Sequence, residues 1–379
     1  MVKMKRNGRY HILSGPSLFW IVSGLAALLA AFLLLGVTNL LAGRQPSQLA
    51  AERWKADGGV AQISSFFSVK AGVTADHIES FRYGLDAALQ EASIEVTSPN
   101  ASARLWADAY SADGQITVNS ERASVTADAI GIGGDFFLFH PLKLLRGSYF
   151  SGNDVNQDYC ILDETAAWQL FGSNDVAGQI VFIGGHPHLV AGVIERETGR
   201  MAEAAGLDGT LIYVSYSTLE AFGSSNGINH YEIVMPNPVN GYAYQYVQEH
   251  IGVKEKEVSV IENTGRYGMV QRFRTLLGFG ERSMNGKAII YPYWENIARG
   301  YEDVICVLTL AAICLAAYPT VLLLIWLIKM WRKRTWKIGT VLVSWKEAGE
   351  ERLWAFRTGM QDRRNKRKEQ FQKEEGANE

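Results

Sequence analysis

Two long apolar runs, one near each end of the chain, dominate the pattern of hydrophobic and polar positions. The first covers residues 18–42 and the second residues 304–328, and neither contains a charged side chain. An α-helix rises about 1.5 Å per residue, so about 20 apolar residues are enough to cross the hydrocarbon core of a bilayer. The runs therefore predict two transmembrane helices, with residues 43–303 forming a separate domain between them.

The first run has a second interpretation, because a cleaved signal peptide is also apolar and N-terminal. Signal peptides have apolar cores of about 7–15 residues. The run at residues 18–42 is longer than that, so a membrane span is favoured. In the second run, Pro319 lacks the amide hydrogen that a regular helix uses, and it predicts a kink at this point.

The first part of the middle region alternates between strand and helix periodicity, which is typical of an α+β domain. Residues 61–69 predict a strand. Apolar residues then recur at helical spacing through residues 74–92, where Thr74 and Asp76 are candidate N-caps. Short strands are predicted on either side of an Asp113-Gly114 turn, at residues 93–97, 103–110 and 115–118.

A similar unit follows late in the middle region. Residues 231–235 predict a strand, residues 239–251 a helix and residues 258–261 a second strand. We expect the early and late units to form one α+β layer with their helices on one face. The intervening glycine- and aromatic-rich segment, at about residues 121–227, is then an inserted and mostly β subdomain.

Residues 268–279 form an amphipathic pattern just before the second run. Val270, Phe273, Leu276 and Leu277 fall on one face of a helix. The pattern is compatible with a helix packed on its own domain and with a membrane-proximal stalk, and both interpretations stay open.

Charge predicts the orientation of the spans. Residues 1–16 contain four basic and no acidic side chains, and residues 329–379 contain fourteen basic and eight acidic ones. Because the whole chain has a formal charge of −2, the remaining residues carry −12. Basic flanks stay on the cytoplasmic side, so we expect a two-pass plasma-membrane protein with both termini cytoplasmic. The acidic domain between the spans also argues against a nucleic-acid partner.

The residues between the spans offer no convincing catalytic, cofactor or metal site. No GxxxxGK[ST] phosphate loop occurs in the chain, which predicts that it has no ATPase of its own. His186-Pro187-His188 has no third ligand at metal spacing and is interpreted as a β-turn between two strands. Cys160 lies in an apolar run and is interpreted as a buried core residue. The expected protein is not an enzyme.

The tail after the second run combines basic and aromatic residues. A stop-transfer signal is enough to explain the basic cluster, but exposed Trp345, Trp354 and Phe356 are unfavourable in free solvent. A helical or disordered tail is expected, and residues 341–360 fit an amphipathic helix. The candidate contacts with the membrane surface or a partner are Lys329, Trp331, Arg332, Lys333, Arg334, Trp336, Trp345, Trp354 and Phe356.

An ordered series of short motifs runs through residues 125–222. It includes Gly134-Asp135-Phe136-Phe137, Leu144-Leu145-Arg146-Gly147, Leu170-Phe171-Gly172, Val176-Ala177-Gly178 and Val190-Ala191-Gly192-Val193. The series resembles the periplasmic core domain of MacB-type ABC transporter permeases. Two features depart from that family: Ser148 stands where an arginine is usual, and one span follows the domain where the family has three.

The resemblance implies a domain organisation for the middle region. In that family the ectodomain has a porter-like α+β part, matching residues of about 60–120 and 228–265, and an inserted mostly-β part. Residues 266–303 are then membrane-proximal, and residues 1–17 and 329–379 are the cytoplasmic ends.

The resemblance also implies a function in which this chain itself catalyses no reaction. The expected role is a permease-like subunit that couples a separate cytoplasmic ABC ATPase to movement of the ectodomain, with no cofactor. A further permease subunit and a dimer are compatible with it. The alternative is a membrane-anchored extracytoplasmic binding or scaffold module without transport activity.

Overall fold

The structure is a computed structural model that describes residues 15–55, 58–95, 103–207, 209–279 and 292–333, with residues 346, 347, 350, 351, 354 and 358 of the tail. Its contacts define two compact units. One contains Met1–Leu29 and Cys314–Glu379, and the other contains Ala30–Ile313. The second unit includes the whole domain between the apolar runs.

Helices and strands alternate along the described chain. The helices are α1 (Gly15–Gly43), α2 (Ala50–Trp54), α3 (Ala75–Glu91), α4 (Phe136–Phe139), α5 (Glu164–Phe171), α6 (Arg200–Ala204), α7 (Tyr216–Phe222), α8 (Tyr242–His250), α9 (Met269–Leu277) and α10 (Tyr293–Lys333). The strands are β1 (Val60–Phe67), β2 (Ala107–Asn119), β3 (Ser124–Gly134), β4 (Leu144–Gly147), β5 (Tyr159–Asp163), β6 (Ile180–Ile183), β7 (His186–Ile194), β8 (Leu211–Ser215), β9 (Ser224–Ser225), β10 (His230–Pro236) and β11 (Val258–Glu262).

One mixed sheet connects all of these strands. Its main order is β11-β1-β10-β2-β3-β8-β5-β7-β4, while β6 pairs with β2 and β7 and β9 pairs with β2. The β3–β8 and β5–β7 pairs are parallel, and the other pairs are antiparallel. The expected α+β domain between two apolar helices is therefore confirmed. The segment expected as an insertion continues the same sheet through the long β2–β3 pair.

Two hydrophobic cores lie on opposite faces of the sheet because successive side chains of a strand point in opposite directions. On β1, Ile63 belongs to a core that includes the buried sides of α3 and α8. Val60 belongs to a second core, which contains Phe136 and Trp294. The helices of the early and late units therefore pack on one face, as the periodicity predicts.

The helix caps follow from local sequence. Thr74 and His77 form a capping box at the start of α3, as the candidate N-cap predicted. Asp163 is the N-cap of α5, with Oδ1 accepting the Ala166 amide at 2.6 Å. Gly172 ends α5 in the left-handed conformation with φ +71°, which glycine adopts without steric cost.

Two predicted turns are wrong. Asp113-Gly114 lies inside β2, where a Cβ at position 114 would come within 2.2 Å of the Ser224 carbonyl oxygen. The glycine thus permits the approach of β9 and does not mark a turn. His186 and His188 lie in β7, and the β6–β7 turn is made by Gly184 and Gly185.

Two further boundaries differ from the sequence-based expectation. Residues 93–95 form no strand: Ser93 has φ +53°, and the Ile94 amide bonds back to the Leu89 carbonyl, so the chain ends α3 here. The helix that contains the second apolar run starts at Tyr293, well before residue 304. The sequence did not predict this start, because the first turns of the helix carry polar side chains. These side chains contact other polar groups in the interior of the protein.

Candidate functional site: a buried polar junction

A cluster of buried polar side chains lies on the sheet face opposite α3 and α8. We call it the polar junction, and its members are Gln48, Gln62, Ser64, Glu232, Asn263, Arg266, Glu295 and Glu302. Strand alternation explains part of it: Gln62 and Ser64 occupy the positions of β1 that do not face the first core, and Glu232 does the same on β10. The cluster places charge where a hydrophobic layer would otherwise lie.

Gln62 joins the sheet to the residues that follow α1. Its Oε1 accepts the Ala50 amide at 2.7 Å, and its Nε2 donates to the Ser47 carbonyl at 2.7 Å. The same Nε2 donates to Glu232 Oε1 at 2.7 Å. The segment between α1 and β1 is thus fixed to β1 and β10 by one fully buried amide.

Arg266, which follows β11, joins the first turns of α10 to the same polar junction. Its Nη1 and Nη2 donate to the two carboxylate oxygens of Glu295 at 2.7 and 2.8 Å, and its Nε donates to Glu302 at 2.6 Å. Nη1 also donates to Gln48 Oε1 at 2.9 Å. Burial disfavours the charged form, but Glu295 and Glu302 more than compensate and raise the pKa of Arg266 well above its ordinary value.

The first turns of α10 present the acidic partners. Glu295, Arg299 and Glu302 recur at i, i+4 and i+7 and therefore share one face of the helix. Arg299 Nε donates to Glu295 at 2.9 Å. Trp294 and Ala298 are buried beside them, so this helix begins inside the domain.

A second contact links α9 to α1. Arg272 is buried and donates from Nη1 to Thr38 Oγ1 and from Nη2 to Asn39 Oδ1, both at 2.9 Å. Most apolar side chains on that face of α9 are exposed: Leu277 is 89% exposed, Val270 70% and Phe273 48%. Among the residues that the structure describes, this face is therefore largely not packed on its own domain.

The unit that contains the first part of α1, up to Leu29, and the later part of α10, from Cys314, has contacts between these two helices. Ser23 Oγ and Tyr318 Oη lie 2.9 Å apart. A Cβ at Gly24 would lie 3.5 Å from Pro319 Cβ, an ordinary van der Waals distance, so the two helices are neighbours at this point. Both helices are long and apolar enough to cross a membrane.

The predicted tail residues are only partly described. Lys329, Trp331, Arg332 and Lys333 lie in the last turns of α10, and the described side chains among them are exposed. Trp354 is helical and 71% exposed, with its carbonyl accepting the Thr358 hydroxyl. Their contact role stays a prediction. Arg334, Trp336, Trp345 and Phe356 lie outside the described residues.

The polar junction is the part that sequence reasoning missed. Its signals were a strand with polar side chains at alternate positions, Gln62 and Ser64, and the Glu295, Arg299 and Glu302 spacing just before an apolar run. Each of these patterns is also typical of an exposed surface. Only the fold shows that they face one another.

A mixed α/β domain between two helices that are long and apolar enough to cross a membrane fits a two-pass membrane protein. The family model described as MacB-like periplasmic core domain matches residues 21–278, more than half of the chain. The chain therefore belongs to the MacB-like periplasmic core domain family, which supports an ABC-type membrane subunit.

Curated relatives match over part of their length. The chain is 31% identical over 117 residues to macrolide export ATP-binding/permease protein MacB 2 of Aeromonas hydrophila, covering 30% of this chain and 16% of the relative. It is 27% identical over 138 residues to the MacB protein of Chromobacterium violaceum, covering 36% and 20%. The aligned part thus spans a fifth of these relatives or less.

Solved structures give a weaker likeness. The extracellular domain of the ABC-type transporter YknZ from Gram-positive bacteria matches with a TM-score of 0.35 and 20% identity, over 53% of this chain and 99% of that one. The periplasmic region of MacB from Actinobacillus actinomycetemcomitans matches with a TM-score of 0.35 and 19% identity, over 56% and 94%.

Proposed function

We propose that this chain is a permease-like membrane subunit that couples a separate cytoplasmic ABC ATPase to movement of its extracytoplasmic domain. Membership of the MacB-like family supports the class, and the names of the curated relatives join an ATP-binding part to a permease part. This chain has no phosphate-binding loop in its sequence, so ATP hydrolysis is assigned to another subunit.

The observation that carries the proposal is the polar junction. Gln62 and Arg266 tie the residues just after α1 and the first turns of α10 to one buried network. Both connections from the apolar helices into the domain therefore meet at the same group of side chains. A force applied through either helix would reach the sheet through charged hydrogen bonds and not through a flexible linker.

The basic flanks of the spans support an orientation with both termini in the cytoplasm. The tail after residue 329 would then lie on the side where an ATPase binds, with Trp331 and Trp354 as exposed contacts. The outward apolar face of α9, held to Thr38 and Asn39 through Arg272, supports placement of this helix at the membrane surface.

The test is purification of the tagged full-length chain from its native membrane, followed by identification of bound proteins and measurement of ectodomain movement. We expect an ABC ATPase to copurify. A fluorophore on Cys substituted for the exposed Tyr83 should change its signal on ATP addition, and only when the ATPase can hydrolyse ATP.

Two controls separate coupling from simple association. An ATPase subunit with its catalytic carboxylate removed should bind the chain but produce no cyclic change in fluorescence. If no ATPase copurifies and ATP leaves the signal unchanged, the chain is a binding or scaffold module and the proposed coupling is wrong.

A further inference from the structure

Two imidazoles and one carboxylate converge beside the polar junction, and the coupling function makes no use of them. Glu232 Oε2 lies 3.0 Å from His140 Nε2 and 3.9 Å from His230 Nε2. One donor atom from each of the three residues lies within 4.8 Å of the other two. All three side chains are about 99% buried or more.

Local structure explains why these groups face one another. His230 and Glu232 are two residues apart on β10, so they share a face of the sheet. His140 follows α4 directly, and its backbone amide bonds to the Phe136 carbonyl, which closes the short helix over that face. One strand and the end of a helix that is distant in the sequence thus supply one set of donor atoms.

The carboxylate of Glu232 is oriented by neutral donors on one oxygen only. Its Oε1 accepts from Gln62 Nε2 and Ser64 Oγ at 2.7 Å each and from Asn263 Nδ2 at 3.3 Å. Its Oε2 lies 3.0 Å from His140 Nε2, but among the described residues neither this pair nor His230 Nε2 forms a hydrogen bond of good geometry. Buried polar atoms without well-formed partners are rare and costly, so three such atoms within 4.8 Å of one another point to a missing ligand.

The surroundings favour a cation over a further hydrogen-bonding side chain. Glu232 is a buried anion whose ion pairs in the described part of the chain are only to the two imidazoles. Trp294 packs against both imidazoles, with ring centroids 4.3 and 5.2 Å away, and shields the site from water.

We propose that His140, His230 and Glu232 bind one Zn²⁺ ion. Two imidazole nitrogens and one carboxylate oxygen form a set that zinc accepts in proteins, whereas Ca²⁺ and Mg²⁺ require oxygen ligands. Gln62, Ser64 and Asn263 would act as the outer groups that orient the ligating carboxylate, and Ser111 Oγ lies 3.4 Å from the Nδ1 of His230. The ion would join β10 to the α4 end beneath the first turn of α10.

The test is the metal content of the full-length protein purified in detergent from cells grown with added zinc, measured by mass spectrometry. Because the site is buried, the ion would be acquired as the chain folds. We expect about one zinc per chain. H230Q and E232Q should each lower the zinc content at least about 10-fold, since loss of even an outer partner costs about 10–100-fold in affinity.

His186 provides the matched control because it is an exposed histidine on β7, and H186Q should retain the zinc content of the wild type. Growth with Co²⁺ gives a second readout: the visible absorption of tetrahedral cobalt should appear in wild type and H186Q and be absent in H230Q. If H230Q or E232Q does not fold, S64A keeps all three ligands and should weaken zinc about 10-fold in chelator competition.

A wild-type protein that binds no zinc overturns the proposal, as does an H230Q variant that retains as much zinc as H186Q. Neither result bears on ATPase copurification. Conversely, a zinc-loaded chain that recruits no ATPase would leave the metal site standing and remove the coupling function.

Discussion

Replacement of Arg266 by methionine is the most demanding test of the polar junction. The side chain is only 2% exposed and makes five hydrogen bonds, three of them to the carboxylates of Glu295 and Glu302. R266M keeps much of the side-chain volume but removes every donor. Two buried carboxylates then lose their main positive partner.

The expected loss of folding stability follows from these uncompensated buried charges. Removal of one member of a buried ion pair typically costs about 3–5 kcal/mol, because the remaining charge stays desolvated without compensation. Arg299 still pairs with Glu295 at 2.9 Å, which limits the effect to the same range although two carboxylates are involved. Since whole domains are stable by about 5–15 kcal/mol, R266M should remove a large share of the ectodomain's stability.

The assay is urea unfolding of the full-length protein in a mild detergent, followed by tryptophan fluorescence, with Trp294 buried next to the junction. K143M is the matched control, since Lys143 pairs with Glu195 on the surface and its side chain is 74% exposed. An exposed pair contributes about 0–1 kcal/mol. The loss of stability in R266K should lie between those of R266M and K143M, because one ammonium cannot reproduce the bidentate contact with Glu295.

A double variant distinguishes a direct interaction from general disruption. R266M and E295Q remove opposite ends of one contact, so together they should cost less than the sum of the single changes by about 0.5–3 kcal/mol. The reasoning is refuted if R266M destabilises the protein no more than K143M does, or if the two junction variants are simply additive.

Three further predictions concern topology, the tail and a helix cap. Cys at the exposed Asn153 should react with an impermeant thiol reagent in intact cells, whereas Cys at Lys373 should react only after lysis; the reverse pattern would contradict the proposed orientation. Truncation after Lys337 should abolish copurification with cytoplasmic partners but leave insertion and the far-ultraviolet circular dichroism of the ectodomain intact, and retention of every partner would reduce the tail to a solvated extension.

Asp163→Ala removes the N-cap of α5 and the acceptor of the Leu211 amide, and it should cost about 1–2 kcal/mol in the same urea assay. Burial raises the pKa of Asp163, so its protonated form is favoured in the folded state. Its contribution to stability is therefore greatest below the unfolded pKa and falls as pH rises towards the folded one. Asp163→Asn should flatten that part of the stability–pH curve; an unchanged slope would contradict the assignment.

Periodicity was sufficient where one face of an element contacts apolar neighbours. The helical spacing of Ile78, Phe81, Leu85 and Leu89 predicts α3, and all four side chains are buried in the first core. The apolar runs predict α1 and most of α10 for a different reason, their length and hydropathy, and the side chains of these runs are mostly exposed. In α3, burial and sequence pattern have a single cause.

Periodicity failed where contacts between residues that are distant in the sequence determine the structure. Gly114 has the sequence of a turn, but pairing with β9 requires the small residue within a strand. Glu295 and Glu302 have the sequence of a solvated helix face, but Arg266 lies opposite them. A charged residue is predicted to be exposed only when it has no partner of opposite charge in the interior. In this chain the partner is distant in the sequence, so the local pattern does not reveal it.

The position of the charged groups has a consequence for how the domain can move. Apolar contacts between the sheet and α10 would allow small sliding at little cost, since dispersion depends weakly on direction. The bidentate contact of Arg266 with Glu295 is directional, and sliding by one helical turn would leave buried charges unpaired. In the proposed coupling, the first turns of α10 and the sheet therefore move as one body. Any hinge must then lie elsewhere, outside the polar junction.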